Sequence, residues 1–307
     1  MDVSLELARV GPGQLIEATR LLCSSTGQVG QAGLRQAAAL AEQIRARPPE
    51  SYVLWWVRQK RDGRALAAAL VLQTPGRAGL LFFSEPEQTG LAAELLGRLV
   101  RTVTREALAG GAAFVQALPR PDVEGELDVL QAAGYRKLAR LSQMQLDLQG
   151  QIVQDRTDSG LEWIGYQQAQ QQRWGDLILQ TYQQGLDCPG LQEVRSGLDI
   201  LASHQAAGVF RPENWWILRR DGRDVGCLLV NGLPGCDDRE LIYLGLVADC
   251  RGQGLSRVLL RRAIADAARA GAQQLRLAVD TLNVPAIKLY QRAGFVRTHG
   301  RDIYFFA

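Results

Sequence analysis

The segment Val247-Ala248-Asp249-Cys250-Arg251-Gly252-Gln253-Gly254-Leu255-Ser256 gathers what is needed to hold an anion. It follows a strand-like run and opens a helix-like one. Gly252 and Gly254, two glycines within three residues, let the main chain turn sharply and come close to a ligand. The first N–H groups of the helix that follows have no intrahelical acceptor, and the helix dipole favours negative charge there. A diphosphate is the guest such a bend would hold. A plain strand-to-helix turn without a ligand would use the same residues.

The elements that must position this bend can be read from periodicity. Trp215–Arg220 and Val225–Asn231 flank an Asp221-Gly222 turn and predict a hairpin, and Glu240–Val247 predicts the strand entering the loop. Leu255–Ala270 predicts a helix ended by Gly271, with Val258, Leu259, Ala263 and Ile264 toward the core. Gln274–Val279 predicts a strand, Ala286–Ala293 a helix and Ile303–Phe306 the last strand; Trp174–Gln184 and Leu191–His204 read as helices. On the loop helix, Arg257, Arg261, Arg262 and Arg269 form either a solvated basic face or, at Arg257 or Arg261, a phosphate contact.

Known phosphate loops can be compared with the segment. GxxxxGK[ST] is absent, which excludes a P-loop. GxGxxG fails at its third glycine, which is Arg257; Asp280 stands roughly where a dinucleotide fold keeps its ribose-binding acid. Such a fold begins its nucleotide site on the first βα unit, whereas three meander strands come first here. The third pattern, Arg251-x-x-Gly254-x-Ser256, continues into Asn283-Val284-Pro285-Ala286 and Tyr290-x-x-Ala293-Gly294-Phe295. In this combination the chain resembles the GNAT family of acyl-CoA-dependent N-acyltransferases, from Trp215 to Ala307. Ser256 departs from the usual Gly or Ala.

The resemblance implies an acetyl- or acyl-CoA-dependent N-acyltransferase acting directly in a ternary complex, with acetyl-CoA as donor and a small-molecule or peptide amine as acceptor. It implies that Leu246, Val247 and Ala248 lend backbone groups to the pantetheine arm. Gly252, Gln253, Gly254, Leu255 and Ser256 would hold the pyrophosphate through their amides, with the Arg251 and Gln253 side chains alongside. Asn283 would bond near the pantetheine, although it could equally cap the helix beginning near Pro285. Tyr290 would protonate the leaving thiolate, although it could also be a helix-face aromatic of the core. The chemistry stands without the family name, because a thiol of pKa about 8.5 leaves more readily when a phenol of pKa about 10 donates to it. Glu240, at the head of the loop strand, is the candidate base. Glu193, Asp199, His204 or water are alternatives, and Cys250 raises a covalent route that lacks an activating histidine nearby.

The chain also repeats itself. Trp55-Trp56 recurs as Trp215-Trp216, Asp62-Gly63-Arg64 as Asp221-Gly222-Arg223, and Ala133-Gly134-Tyr135 as Ala293-Gly294-Phe295. In the first half, Tyr52–Gln59, Ala65–Gln73, Ala78–Phe83, Ala112–Leu118 and Leu138–Leu148 read as strands, and Leu91–Leu108 and Glu126–Ala133 as helices. The fold class expected is α/β: two tandem GNAT-like domains, each a mixed, mostly antiparallel sheet flanked by helices. Their expected boundaries are 1–150 and 160–307, joined by a polar linker. A shift of 160 places Arg251, Gly254 and Ser256 on Leu91, Glu94 and Leu96, and Asn283 and Tyr290 on Val123 and Leu130. The first half is therefore expected to be degenerate, without the acyl-CoA loop, and to shape structure or substrate.

Composition bounds the rest. With 307 residues, 47% apolar and 22% charged, the chain can bury sizeable cores and is not disordered. A net charge of +3 without basic clustering argues against a nucleic-acid partner and suits an anionic small ligand. Asp2 and Glu6 break any secretory signal, and the apolar run Leu66 to Leu72 is too short for a bilayer. Five cysteines without a CxxC pair and two histidines predict a reduced, metal-free, cytoplasmic protein, monomeric or homodimeric. A non-catalytic acyl-CoA sensor and a dinucleotide-binding protein remain as alternatives.

Overall fold

In the computed structural model, residues 5–23, 31–150, 160–187 and 195–307 are described. The chain divides into two compact units, 1–138 with 302–307, and 139–301.

In the first unit, β1 (Leu5–Arg9), α1 (Leu15–Cys23), α2 (Gln31–Arg45), β2 (Tyr52–Gln59), β3 (Ala65–Thr74) and β4 (Ala78–Phe83) come first. α3 (Pro86–Thr89), α4 (Ala93–Ala109), β5 (Phe114–Ala117) and α5 (Glu126–Ala133) follow. Strands β1 to β4 pair antiparallel in chain order, and β5 joins β4 in parallel. β3 is apolar at successive positions because both its faces are covered. Ala67, Ala69 and Val71 enter a core with Leu96, Leu99, Val103 and Leu130. Ala68 and Leu70 enter a second core with Leu15, Leu22 and Ile44. The alternation is the period-2 geometry of a strand applied to two cores.

β6 (Arg136–Asp147), β7 (Leu161–Gly165), α6 (Gln171–Tyr182), α7 (Gly197–Ala206), β8 (Trp215–Arg220), β9 (Arg223–Gly232) and β10 (Arg239–Leu246) come next in the chain. α8 (Leu255–Arg269), β11 (Gln274–Asp280), α9 (Val284–Arg292) and β12 (Val296–Phe306) complete it. In the second unit β7, β8, β9 and β10 pair antiparallel, β11 runs parallel to β10, and β6 closes antiparallel on β11. Every residue from Val225 to Gly232 is buried, as expected of a strand that both α6 and α8 pack against. β11 instead alternates: Leu275, Leu277 and Val279 are buried, while Arg276 and Ala278 are exposed. One face of the β6–β11 portion is therefore uncovered.

The compact units do not divide at the expected boundaries. Residues 139–150 belong to the second unit, and Met144, Leu146 and Leu148 enter its core. In return, residues 302–307 belong to the first unit, where Tyr304, Phe305 and Phe306 pair with Ala117, Gln116 and Val115. Each half thus lends its last strand segment to the other unit, a long-range pairing that local periodicity does not encode. β12 is also longer than Ile303–Phe306, because its polar first half carries no apolar alternation. Most of the expected linker, 151–159, and the start of the expected helix Leu191–His204, with Glu193, lie outside the described residues.

Candidate active site

β10 leads through Val247 and a single 3-10 turn, Ala248–Cys250, into the glycine bend. Gly252 and Gly254 have φ of +73° and +83°. A Cβ at either would meet nothing within 4 Å, so conformation rather than crowding selects glycine. Gly254 is the left-handed N-cap of α8, and no side chain caps that helix. The first amides of α8 are therefore left for an external acceptor.

The side chains around the bend brace it. Arg251 donates from Nε to the Leu246 carbonyl at 3.1 Å and from Nη1 to that of Gln184 at 3.0 Å. Its Nη2 donates to the Thr181 and Gln183 carbonyls at 2.9 and 2.8 Å. This corrects the expected phosphate role of the Arg251 side chain: its fork ties the loop to the end of α6. Gln253 is committed likewise, donating to the Asp249 carbonyl at 2.8 Å and accepting from Arg220 at 2.8 Å. Leu255 is buried, so only its backbone can serve a ligand. Cys250 is 3% exposed, which removes it as a covalent nucleophile. Asp280 is 1% exposed and its carboxylate accepts from the Leu282 amide at 3.0 Å, closing a turn instead of facing a ribose.

A cleft of about 350 Å³ opens beside the bend, between α8 and α9. It is lined by Gly252, Gly254 and Ser256 of the bend, by Arg257 and Arg261 of α8 and Arg292 of α9, and by the apolar Leu260, Ile264 and Leu289. The strands beneath diverge. The parallel pairs between β10 and β11 are Arg239↔Leu275, Glu240↔Arg276 and Leu241↔Leu277, although β10 runs on to Leu246 and β11 to Asp280. A bulge between Leu241 and Tyr243 turns β10 at the point of divergence. Within the expected pantetheine strand, the Val247 amide is committed to the Val225 carbonyl at 3.0 Å. The Leu246 carbonyl already receives Arg251.

Tyr290 lies on α9, 8% exposed, with its ring 5.7 Å from that of Phe295. Its hydroxyl has no hydrogen-bond partner among the described residues. Burial, reinforced by the nearby Asp187 carboxylate, pushes its pKa well above the ordinary phenol value. Asn283 caps α9, accepting from the Ala286 amide at 3.2 Å, and its Nδ2 donates to Asp187 Oδ2 at 2.8 Å. The capping alternative is what the geometry shows, with the amide nitrogen holding Asp187. Asp187 also accepts from the Asp280 amide at 3.3 Å, and burial raises its pKa. No periodicity or motif marks Asp187, a residue brought to the site from 93 positions before Asp280.

Glu240 is half-buried; burial raises its pKa while Arg276 pulls it down. It lines a second cleft, of about 330 Å³, on the uncovered sheet face with Gln143, Gln145, Arg276, Thr298 and His299. Two other candidate bases have different work. Asp199 forms a capping box with Ser196 at the start of α7. His204 stacks on Tyr243 with centroids 5.4 Å apart, and burial and Arg195 push its pKa down to about 4.

Residues 186–295 match the sequence model of the acetyltransferase (GNAT) family. The chain is similar to a mycothiol acetyltransferase of Geodermatophilus obscurus, 27% identical over 203 residues, covering 59% of this chain and 60% of that protein. A mycothiol acetyltransferase of Thermomonospora curvata is 32% identical over 100 residues, 33% of each chain. The matched stretch thus spans less than two thirds of these relatives. In fold, the chain is similar to a GCN5-related N-acetyltransferase of Sphaerobacter thermophilus, with TM-score 0.61, 18% identity and 98% and 95% of the two chains covered. It is also similar to a tandem GNAT protein from the clavulanic acid biosynthesis pathway, with TM-score 0.53, 15% identity and 99% and 98% coverage. No helix among the described residues is long and apolar enough to cross a membrane.

Proposed function

Because the chain carries an acetyltransferase domain of the GNAT family, we propose that its second unit transfers an acetyl group from acetyl-CoA to the primary amine of a small polar acceptor. One observation carries this reading: the uncapped, left-handed-glycine start of α8 opens onto an arginine-flanked cleft beside two diverging strands. The amides from Gly252 to Ser256 receive the pyrophosphate, and the gap beyond Leu241↔Leu277 receives the pantetheine arm. The residues fit the donor: the open space around both glycines leaves room for phosphate oxygens against the backbone.

The acceptor enters from the uncovered face, where Gln143, Gln145 and Thr298 offer neutral hydrogen-bonding groups to a hydroxyl-rich molecule. Glu240 stands one register pair before the strands part, and it takes the proton from the attacking amine. Its raised pKa makes it a stronger base than an ordinary carboxylate. The amine nitrogen forms the new bond to the acetyl carbon, and the C–S bond breaks. The Tyr290 hydroxyl donates its proton to the departing sulfur. Burial keeps that phenol protonated through the neutral and mildly alkaline range. The curated relatives are named for mycothiol acetyltransfer, which supports a small thiol-bearing amine as acceptor over a peptide.

The test is release of free thiol from acetyl-CoA in the presence of amines, amino acids, aminoglycosides and peptide N-termini, beside the Gly254→Glu variant. Gly254→Glu combines αL strain of about 1–2 kcal/mol with a carboxylate at the anion end of α8, for an expected loss of about 100-fold in acetyl-CoA affinity. Unchanged saturation by acetyl-CoA in that variant would mean that the donor lies elsewhere.

A further inference from the structure

Two of the four arginines of α8, Arg262 and Arg269, differ from a third, Arg257. Arg262 and Arg269 are engaged by the buried Asp266, at 2.7 Å each. Arg257 has no carboxylate or other polar partner among the described residues, and the same holds for Arg292 on α9. Both line the cleft beside the glycine bend, one on each helix. Two guanidinium groups without a carboxylate partner, lining one cleft, are free to pair with an anion there.

The repeat shows what these positions do without arginine. Displaced by 160 residues, Arg257 and Arg292 fall on Gly97 and Ala132 of the first unit. There the helices touch: a Cβ on Gly97 would lie 2.7 Å from that of Ala132. The pair that seals one helix interface is thus replaced, in the other, by two cations facing an open cleft. The bend amides supply donors for one diphosphate, and neither arginine is needed for that. CoA carries a further phosphate on its ribose 3′ position, a dianionic monoester suited to the guanidinium fork.

On the reading that the second unit uses acetyl-CoA, we propose that Arg257 and Arg292 bind the 3′-phosphate of the donor. They select CoA thioesters over 3′-dephospho-CoA and over donors lacking the ribose phosphate. Leu260, Ile264 and Leu289 line the same cleft and offer apolar surface to the adenosine. Binding here contributes equally to ground and transition states, so it changes donor affinity without changing turnover.

Isothermal titration of the full chain with CoA and with 3′-dephospho-CoA tests this without any acceptor. The wild type should bind CoA about tenfold or more tightly than the dephospho form, as expected of a charge-assisted contact. Arg257→Gln/Arg292→Gln should lose most of its CoA affinity advantage while binding 3′-dephospho-CoA as the wild type does. Both side chains are exposed, so thermal unfolding should not change. Equal affinity of the wild type for both ligands would overturn the proposal and leave the acetyltransferase reading standing. Equal losses for both ligands in the double variant would also overturn it, pointing to contact with the adenine. Binding of neither ligand by the wild type would overturn the acetyltransferase reading itself, and this inference with it.

Discussion

The two helix pairs, α4 with α5 and α8 with α9, begin from the same repeated pattern and end as opposite structures. Leu96, Leu99, Val103 and Leu130 pack α4 and α5 into one core, and Arg101 donates to the Ala132 and Ala133 carbonyls at the end of α5. The α8–α9 pair stands around a cleft of about 350 Å³. At the start of α4, where a ligand anion would be expected by analogy, Glu94 stands in place of Gly254. At the start of α5, the counterpart of α9, Glu126 is held within the unit. It is 5% exposed, accepting from the Arg120 amide and guanidinium at 2.6 to 2.9 Å. A ligand site is therefore lost in two steps: small residues let the helices close, and an acidic side chain takes the place of the bend glycine. Keeping a site open leaves cations and helix-start amides to water until a ligand takes its place.

The largest way to break the comparison is to separate the halves by sequence. A chain beginning at residue 160 lacks β6 and with it Met144, Leu146 and Leu148 of the second core. Each such loss is of order 2–5 kcal/mol, together comparable with a whole domain's stability. That fragment should fail to show a cooperative thermal transition by circular dichroism, whereas one beginning at 136 should retain it in this unit. The next effect is catalytic. Tyr290→Phe should lower kcat about 100-fold with little change in the KM for acetyl-CoA. The acid limb of kcat/KM should have its midpoint above the ordinary carboxylate value of 4.5, and Glu240→Gln should abolish that limb. A limb that survives Glu240→Gln assigns the proton transfer to another group.

A smaller effect distinguishes the two helix interfaces. Gly97→Ala places a Cβ 2.7 Å from Ala132 Cβ and 3.0 Å from its carbonyl carbon. Overpacking of this kind should destabilise the first unit by about 1–3 kcal/mol in chemical denaturation. Arg257→Ala, at the corresponding position, should leave stability unchanged. The smallest effect is a pH dependence. Both histidines of the chain, His204 and His299, lie in the second unit. His204 binds its proton near pH 6.5 when unfolded and only near pH 4 when folded. The unfolded state therefore binds more protons in that window, and stability should fall as pH drops from 6.5 to 4. His204→Gln should flatten this dependence, and a melting curve insensitive to the substitution would refute the assignment.

Much of this molecule was legible locally. Trp215–Arg220 and Val225–Asn231 read as a hairpin because their alternation and turn chemistry are contained within a few residues. Gly252 and Gly254 read as an anion bend because a positive φ is a property of the residue itself. Asn283 had two readings, and Arg251 one, beside the pyrophosphate. The structure put their side chains to bracing and capping, because each found backbone or carboxylate partners that the motif does not name.

The amino-acid sequence alone determined the elements, the repeat and the bend, since these depend on φ preference and apolar period over at most a turn or a strand. Tertiary structure alone decided the exchange of last strands, the arrival of Asp187 beside Asn283, and which helix pair closed. Those outcomes depend on which distant surfaces meet, and on whether small side chains or unpaired charges face each other when they do.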